Sequence, residues 1–420
     1  MSVYICPLIQ DFFMANDVFY FNPTCELAVA NGSFSYMPPL LLLEFEHDCS
    51  ILPFIFCESG DFVLTEKIPS VEFINTLTDA GFEMPEFCSL NELISEKKAT
   101  LNSILPWGWS PAAHFLLKDL KAKCAPEFKG SPVFSWKEEH KTLFERITSL
   151  DFLNDFLIQH PSDFFVKPEL IGTKVTCIKE IENILRSQFP LVLKAPLSSS
   201  GRGIQIIRKA TLNNSNKQWI SGILNQQKYL IAEPFLDKIA DLSFQFKVTR
   251  DGEPEYLGYS FFETNTNGQY QSTFIHPEIK NLDFADFFEK TKEIIRLTVE
   301  KLKLALKSSV YTALHQGFLG IDAMIYLDKE GLKMQPCIEI NCRMNMGILT
   351  MLIEKKIDQD TTGKYKLFYG SRGEFQKFVV EKTSQHPLKI KNGKLCSGFL
   401  SLVEPDAEKQ FGAYIILEIS

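Results

Sequence analysis

The pattern of apolar and polar positions is most informative between Gly317 and Gly347, where two short apolar runs enclose a polar turn. The runs are Ala323–Leu327 and Met334–Ile340, and the turn-like residues between them are Asp328–Gly331. Two apolar runs separated by acidic and glycine turn residues are typical of a β-hairpin. We therefore predict that the two runs pair as antiparallel strands.

The predicted hairpin brings three oxygen-bearing side chains to one face. Side chains alternate between faces along a strand, so Glu339 and Asn341 point the same way. If the strands pair around Lys329–Glu330, Asp322 faces these two residues from the other strand. Two carboxylates and an amide oxygen suit Mg²⁺, and Arg343 on the same face can hold a phosphoryl group. An ordinary surface hairpin with acids and one arginine is the alternative interpretation.

A second pair of apolar runs flanks a loop that is rich in serine and glycine. Pro190–Lys194 ends in a lysine, Ser198–Gly203 forms the loop, and Ile204–Ile207 resumes an apolar strand. Glycine lets the backbone approach a ligand closely, and free backbone N–H groups can form an anion-binding nest. Lys194 would then contact an α- or β-phosphate as a point charge. The chain has no P-loop motif, and an ordinary hairpin turn is the alternative.

The first 130 residues alternate between strand-like and helix-like segments, which predicts a small α/β domain. The segment Asn22–Glu26 directly follows the first predicted strand, where α/β sheets often bind ligands, although it also suits a plain loop and helix cap. The predicted strands are Val18–Phe21, Ile51–Cys57 and Phe62–Thr65, and the predicted helices are Val71–Ala80 and Pro111–Cys124.

Composition and charge place the chain among globular proteins. Its 420 residues are long enough for several domains with a large core. The content of 45% hydrophobic and 23% charged residues is that of a globular protein. The net charge of −8 and the pI near 5.6 argue against nucleic acid as a main partner. The ten cysteines include no CxxC pair, which favours free thiols in a reducing compartment. The N-terminus lacks a basic region, and no apolar run reaches the roughly 20 residues that span a bilayer, so we expect a cytoplasmic protein without a membrane partner.

Three elements follow one another in an order that is known from one enzyme superfamily. They are Lys194 with its Ser/Gly loop, the segment Tyr229–Leu236 (YLIAEPFL), and the run Glu339–Arg343 (EINCR) downstream of Asp322. This order resembles the ATP-grasp superfamily of ATP-dependent carboxylate–amine ligases, over roughly Ser135–Glu354. The resemblance implies an ATP-grasp fold of mixed α/β and α+β class, with a pre-ATP-grasp-like α/β domain at the N-terminus.

The resemblance also implies a role for individual residues. Asp241 stands where the family usually has a ribose-binding Glu, and Asp is one methylene shorter, which is a departure from the pattern. A second nucleotide-binding lysine is matched best by Lys141, with Lys167 as the competitor. The remaining assignments are Lys194 as the catalytic lysine on phosphate; Ser199, Ser200, Gly201, Arg202 and Gly203 as the phosphate loop; Glu233 and Phe235 as the nucleotide hinge; Asp322, Glu339 and Asn341 as metal ligands; and Arg343 as the catalytic arginine on the transferred phosphoryl group.

We accordingly divide the chain into four parts, with a linker at Ala125–Pro132. Residues 1–130 form the N-terminal α/β domain, 133–228 the first ATP-grasp subdomain with the phosphate loop, 229–360 the second subdomain with the metal site, and 361–420 a C-terminal extension. In the extension, Leu395–Val403 is predicted to pair with Ala413–Leu417 as a β-hairpin.

The resemblance implies an ATP- and Mg²⁺-dependent ligase in which Mn²⁺ can substitute for Mg²⁺. A substrate carboxylate would attack the γ-phosphate, and an amine would displace phosphate from the acylphosphate to form an amide, leaving ADP and phosphate. Amino acids or small peptides are the default carboxylate and amine substrates, and a homodimer is compatible with the resemblance. Two alternatives stay open, namely a small-metabolite kinase with the same site and a nucleotide-binding protein without catalysis.

Overall fold

The computed structural model describes residues 16–97, 100–198, 203–266, 268–277 and 282–419, without the side chains of 282–288, 290 and 419. The predicted loop residues Ser199, Ser200, Gly201 and Arg202 lie outside this part of the chain. The described residues form three sheets of four, nine and four strands. None of the described helices is long and apolar enough to cross a membrane.

The N-terminal unit is a parallel sheet with short helices. Its strands are β1 (Asn16–Tyr20), β2 (Phe62–Leu64), β3 (Glu86–Cys88) and β4 (Leu101–Pro106), and its helices are α1 (Cys25–Asn31), α2 (Leu40–Asp48), α3 (Val71–Asp79), α4 (Leu90–Ser95), α5 (Pro111–Leu116) and α6 (Pro126–Lys129). The strand order is β3-β2-β1-β4, and all neighbours are parallel. This agrees with the predicted α/β character of the region.

One predicted strand in this unit is wrong. Ile51–Cys57 does not enter the sheet, because Leu52–Phe56 forms a 3₁₀ helix with Pro53 in its first turn. Proline has no N–H to donate to a β-ladder, but it is tolerated at the start of a helical turn. The run is apolar because it is buried in the core, and a short buried helix cannot be distinguished from a buried strand by periodicity alone.

The second unit is an antiparallel sheet of four strands that carries Lys194. Helix α7 (Arg146–Gln159) precedes this unit and packs against the nine-stranded sheet. The helices of the unit are α8 (Ile178–Ser187) and α9 (Asn214–Gln227), and its strands are β5 (Thr173–Val175), β6 (Leu191–Lys194), β7 (Ile204–Ile207) and β8 (Leu230–Pro234). The strand order is β5-β8-β6-β7. Lys194, the last residue of β6, lies opposite Ile204, the first residue of β7. The Ser/Gly loop therefore joins two paired strands, as the sequence predicts.

The third unit is an antiparallel sheet of nine strands. Its strands are β9 (Asp237–Val248), β10 (Pro254–Thr264), β11 (Tyr270–Ile275), β12 (Gly317–Asp328), β13 (Gly331–Asn341), β14 (Thr361–Tyr369), β15 (Lys389–Lys391), β16 (Lys394–Ser401) and β17 (Phe411–Ile419), and its helices are α10 (Leu282–Lys307), α11 (Val310–Leu314), α12 (Met346–Glu354) and α13 (Glu374–Gln385). The order is β13-β12-β9-β10-β11-β14-β17-β16-β15. Strands β14 to β17 thus extend the sheet that contains β12 and β13, and the predicted C-terminal hairpin is confirmed as β16 paired with β17.

The predicted hairpin that organises the site is confirmed in its strands and in its register. Strands β12 and β13 pair antiparallel, with Asp328 opposite Gly331 at the turn and Asp322 opposite Glu339 near the far end. The register of the ladder shifts between Asp322 and Met324, close to this end.

The N-terminal unit and the nine-stranded sheet share one hydrophobic core. Phe21 and Trp107 from the N-terminal unit belong to the same buried cluster as Leu349, Tyr365 and Ile415. The rings of Phe21 and Trp107 meet edge to face with centroids 5.0 Å apart, a favourable aromatic arrangement. This common core fixes the loops that follow β1 and β4 against the end of the β12–β13 hairpin.

Candidate functional site

Two carboxylates and an amide meet at the end of the β12–β13 hairpin. Asp322 and Glu339 are cross-strand partners, and Asn341 lies two positions further along β13 on the same face. The Asn341 Nδ2 donates a hydrogen bond of 3.1 Å to Asp322 Oδ2. The three residues that we predicted as metal ligands are therefore brought together by strand register alone.

The electrostatics of this cluster fit a divalent cation. Burial, followed by the charge of Glu339, raises the pKa of Asp322 to about 6, because two neighbouring carboxylates are costly to ionise away from water. A hard cation bound by oxygen ligands would relieve this repulsion, and two carboxylates with an amide oxygen match the preference of Mg²⁺. In the described part of the chain, no cluster contains three or more His, Cys, Asp or Glu side chains suited to a metal, and the third oxygen of this cluster belongs to the Asn341 amide.

Arg343 joins this cluster to the N-terminal unit. Its Nε donates to Glu26 Oε1 at 2.7 Å, and one of its terminal nitrogens donates to Asn341 Oδ1 at 3.1 Å. Glu26 lies in the first turn of α1, so the ion pair spans two units of the molecule. The predicted phosphoryl arginine is thus placed beside the predicted metal ligands, with an acidic partner that the sequence analysis did not assign.

Arg146 is a second arginine at the cluster, and the sequence analysis missed it. It is the first residue of α7 and is only 5% exposed. Its terminal nitrogens donate to Glu339 Oε2 and to the Ala195 carbonyl, both at 3.1 Å. Its Nε has no hydrogen-bond partner among the described residues. A buried guanidinium with a spare donor beside the phosphate loop is suited to an anionic ligand.

Lys194 forms an ion pair with the predicted hinge acid. Its Nζ lies 2.6 Å from Glu233 Oε2, and both side chains are largely buried. At the end of the loop, the Gly203 carbonyl accepts a hydrogen bond of 2.8 Å from the Ala195 N–H. A Cβ on Gly203 would lie only 2.3 Å from the Ser198 Cβ. The loop can therefore close tightly here only with glycine at position 203.

The predicted ribose-binding residue Asp241 and the predicted hinge residue Phe235 occupy separate places. Asp241, on β9, accepts hydrogen bonds from Lys238 Nζ at 2.5 Å and from Thr264 Oγ1 at 2.8 Å. Phe235 is 39% exposed, and its ring centroid lies 5.4 Å from the Arg208 guanidinium carbon. Asp241 lines the cleft described below, whereas Phe235 does not.

Neither candidate for the second nucleotide lysine lines the cleft. Lys167 pairs with Glu330 at 2.7 Å, at the turn of the β12–β13 hairpin and therefore at the end opposite the acidic cluster. Lys141 lies in the 3₁₀ helix Glu138–Phe144. Arg146, five residues after Lys141, occupies the cleft instead. A basic residue at the start of a long helix is the one signal in the sequence that could have drawn attention to it.

The loops after β1 and β4 close the site from the N-terminal side. Strand β1 has β2 on one side and β4 on the other, so the connections diverge at the carboxyl end of β1, where α/β sheets commonly bind ligands. The Asn22 side chain holds the two loops together by donating to the Gly108 carbonyl at 2.8 Å and accepting from its N–H at 3.2 Å. This arrangement places Thr24, Glu26 and Trp107 in the cleft.

A cleft of about 360 Å³ contains the acidic cluster, Arg146 and Arg343. It is bounded by the N-terminal loops, by Ser198 and Ile204 at the two ends of the Ser/Gly loop, and by one face of the nine-stranded sheet. Cavities of this size bury small-molecule ligands. The charged side chains that line it are Glu26, Arg146, Lys238, Asp241, Asp322, Glu339 and Arg343.

Comparison with known proteins gives structural similarity but no sequence match. No family model matches the chain, and no curated protein matches its sequence. Solved structures that resemble it include pyruvate carboxylase of Rhizobium etli (TM-score 0.51, 10% identity, 97% of this chain and 36% of that chain). A second is biotin carboxylase of Campylobacter jejuni as a β-γ-ATP complex (TM-score 0.49, 11% identity, 96% of this chain and 87% of that chain). A third is N5-carboxyaminoimidazole synthetase of Staphylococcus aureus with ADP (TM-score 0.46, 12% identity, 97% of this chain and 94% of that chain).

At identities of 10–12% these similarities concern the fold alone. The pyruvate carboxylase structure has the highest TM-score of the three, and this chain spans about a third of its length. The fold class expected from the sequence is confirmed. The chain shares its overall fold with the pyruvate carboxylase structure over 97% of its length.

Proposed function

We propose that this protein is an ATP- and Mg²⁺-dependent ligase that joins a carboxylate to an amine. The observation that carries the proposal is the convergence of Asp322, Glu339 and Asn341 with Arg343 in one cleft, at the mouth of the Ser/Gly loop. Such a set of oxygen ligands and cations is suited to the β- and γ-phosphates of ATP and to charge that develops during phosphoryl transfer.

Each group in or beside the cleft has a distinct task in this proposal. Lys194 and the backbone of the Ser/Gly loop bind the nucleotide phosphates, and Asp241 binds the ribose. Asp322, Glu339 and Asn341 would hold Mg²⁺, which supplies neutralisation of phosphate charge when it is bound. Arg146, which donates to Glu339 and has a spare Nε–H, orients this carboxylate and contributes positive charge.

The reaction proceeds in two steps. A carboxylate oxygen of the substrate attacks the γ-phosphorus; the new O–P bond forms as the bond to the β–γ bridging oxygen breaks, and ADP leaves. Arg343 stabilises the charge on the transferred group. The amine nitrogen then attacks the acyl carbon, the C–O bond to phosphate breaks, and the nitrogen loses a proton, which gives an amide and inorganic phosphate.

Product analysis tests this proposal and separates it from a kinase. The protein is incubated with Mg²⁺ and ATP, pooled amino acids and small carboxylates, and hydroxylamine as a general amine, while ADP, AMP, phosphate and hydroxamate are measured together. A ligase gives ADP, free phosphate and a hydroxamate. A phosphorylated product without free phosphate would identify a kinase, and absence of Mg-ATP binding in calorimetry would overturn the proposed function.

A further inference from the structure

An apolar surface lines the cleft beside Asp322, Glu339 and Asn341. The proposed phosphoryl transfer assigns no role to this surface. It consists of half-buried side chains from both the N-terminal unit and the nine-stranded sheet. Phe45 is backed by Phe21 and Phe411, with ring centroids 5.7 and 5.2 Å away. The side chains of this apolar wall are Leu27, Leu42, Phe45, Tyr270, Met346 and Leu367.

Two of the groups that we assign to the nucleotide, Lys194 and Glu233, do not line the cleft that contains the apolar wall, whereas Asp241 and the proposed metal ligands do. Helices α1 and α2 supply half of the wall, and they belong to the N-terminal unit. The wall is therefore available to the substrate that receives the phosphoryl group. A concave apolar surface with a few convergent polar groups is the usual form of such a site.

The wall lies in the same cleft as the Glu26–Arg343 ion pair. The two side chains are 9% and 19% exposed, so the pair is largely removed from water. A Cβ on Gly108 would lie 3.1 Å from the Arg343 Cβ, which shows how closely the loop after β4 packs against the arginine. A ligand with both an ammonium and a carboxylate can insert here without leaving either protein charge buried and unpaired.

We propose that the carboxylate substrate is an α-amino acid with an apolar side chain. This inference rests on the proposed ligase function and narrows its substrate class. The substrate ammonium binds Glu26, its carboxylate binds Arg343 beside the metal ligands, and its side chain packs on the apolar wall. The ion pair of the free protein is replaced by two ion pairs in the complex.

The wall also excludes competing amino acids. A charged or amide side chain would lose its water against Leu42, Phe45 and Leu367 without a hydrogen bond in return. An apolar side chain instead removes both its own surface and the half-exposed wall from water. A carboxylate that lacks the ammonium would leave Glu26 without a new partner when it takes Arg343.

Binding measurements on the protein saturated with Mg²⁺ and a non-hydrolysable ATP analogue test the proposal. Calorimetry compares L-leucine with L-aspartate, L-lysine and 4-methylpentanoate, which retains the leucine side chain and carboxylate but lacks the ammonium. We expect L-leucine to bind about tenfold more tightly than each of the other three, or better. Leu42→Asn should weaken L-leucine binding to a similar extent. Leu41→Asn on the same helix, at a residue that is 41% exposed and outside the cleft, should not change it.

The outcomes separate this inference from the function on which it rests. If the ATP analogue binds but L-aspartate or L-lysine is preferred, or no α-amino acid binds, the substrate assignment is overturned and the ligase proposal stands. Equal binding of L-leucine by the Leu42→Asn and Leu41→Asn proteins likewise overturns the role of the wall. If the ATP analogue itself does not bind, the proposed function fails, and the inference fails with it.

Discussion

Glu339 is the single residue on which most of the site depends, because it faces Asp322 across the hairpin and also accepts a hydrogen bond from Arg146. Glu339→Gln keeps the size of the side chain and its acceptor but removes its charge. We expect Mg-ATP turnover to fall by about a hundredfold or more, with the fold retained. Glu330→Gln, at the exposed hairpin turn, is the matched control. Normal turnover in the Glu339→Gln protein would remove the metal assignment.

Lys194 gives a second prediction at the scale of one residue. Its ion pair with Glu233 is largely buried, so Lys194→Ala removes a phosphate ligand and leaves an acid without its partner. We expect the affinity for an ATP analogue to fall about tenfold or more, as measured by calorimetry. Lys217→Ala, which breaks the more exposed pair with Glu182, is the control. Unaltered affinity after Lys194→Ala would mean that the loop is an ordinary hairpin connection.

At the scale of elements, the parts that could be predicted are those that local sequence determines. The β12–β13 hairpin and its register follow from alternation around one turn, and so the position of Asp322 opposite Glu339 could be predicted. The contacts of Arg146 with Glu339 and of Glu26 with Arg343 could not be predicted, because the partners lie 193 and 317 positions apart in the chain. Such contacts depend on how helices α7 and α1 pack against the sheet, and no local pattern encodes that packing.

Strand β12 also makes a close contact at Gly320, and adding one methyl group at this residue tests it. A Cβ on Gly320 would lie 2.5 Å from Asn345 Nδ2 and 3.0 Å from Gln245 Oε1. Asn345 caps helix α12 by accepting a hydrogen bond from the Ile348 N–H, and Gly320 pairs with Asn341. We expect Gly320→Ala to lower the free energy of unfolding by about 2 kcal/mol and to reduce turnover by disturbing Asn341.

Another glycine serves as the control for this substitution. Gly222 is exposed inside helix α9, and a Cβ there meets no atom within 4 Å. Gly222→Ala should therefore raise the free energy of unfolding by about 1 kcal/mol. Both values are measured by urea denaturation. Equal stabilities for Gly320→Ala and the unmodified protein would show that the Asn345 and Gln245 side chains can move to accommodate the methyl group.

At the scale of the whole molecule, the site depends on the junction between the N-terminal unit and the nine-stranded sheet. Buried histidines lie at this junction. Burial and the charge of Lys121 lower the pKa of His114 to about 3, and Lys121 Nζ lies 2.7 Å from His114 Nδ1. Burial also lowers the pKa of His315 to about 4, although its ring nitrogen bonds the Phe318 carbonyl at 2.9 Å. Both histidines are therefore neutral in the folded protein at neutral pH.

Acidification should therefore destabilise the junction. The ordinary histidine pKa is 6.5. Below this pH, His114 and His315 bind protons in the unfolded chain but not in the folded protein. The contribution of the two histidines to the free energy of unfolding is therefore fully present above pH 6.5 and decreases as the pH falls towards 4. The loss is about 1.4 kcal/mol per unit of pKa difference for each histidine. Urea midpoints measured between about pH 8 and pH 5 should decrease less steeply for His315→Asn than for the unmodified protein. His386→Asn, at an exposed position after α13, should retain the full slope, and an unchanged slope in His315→Asn would contradict the prediction.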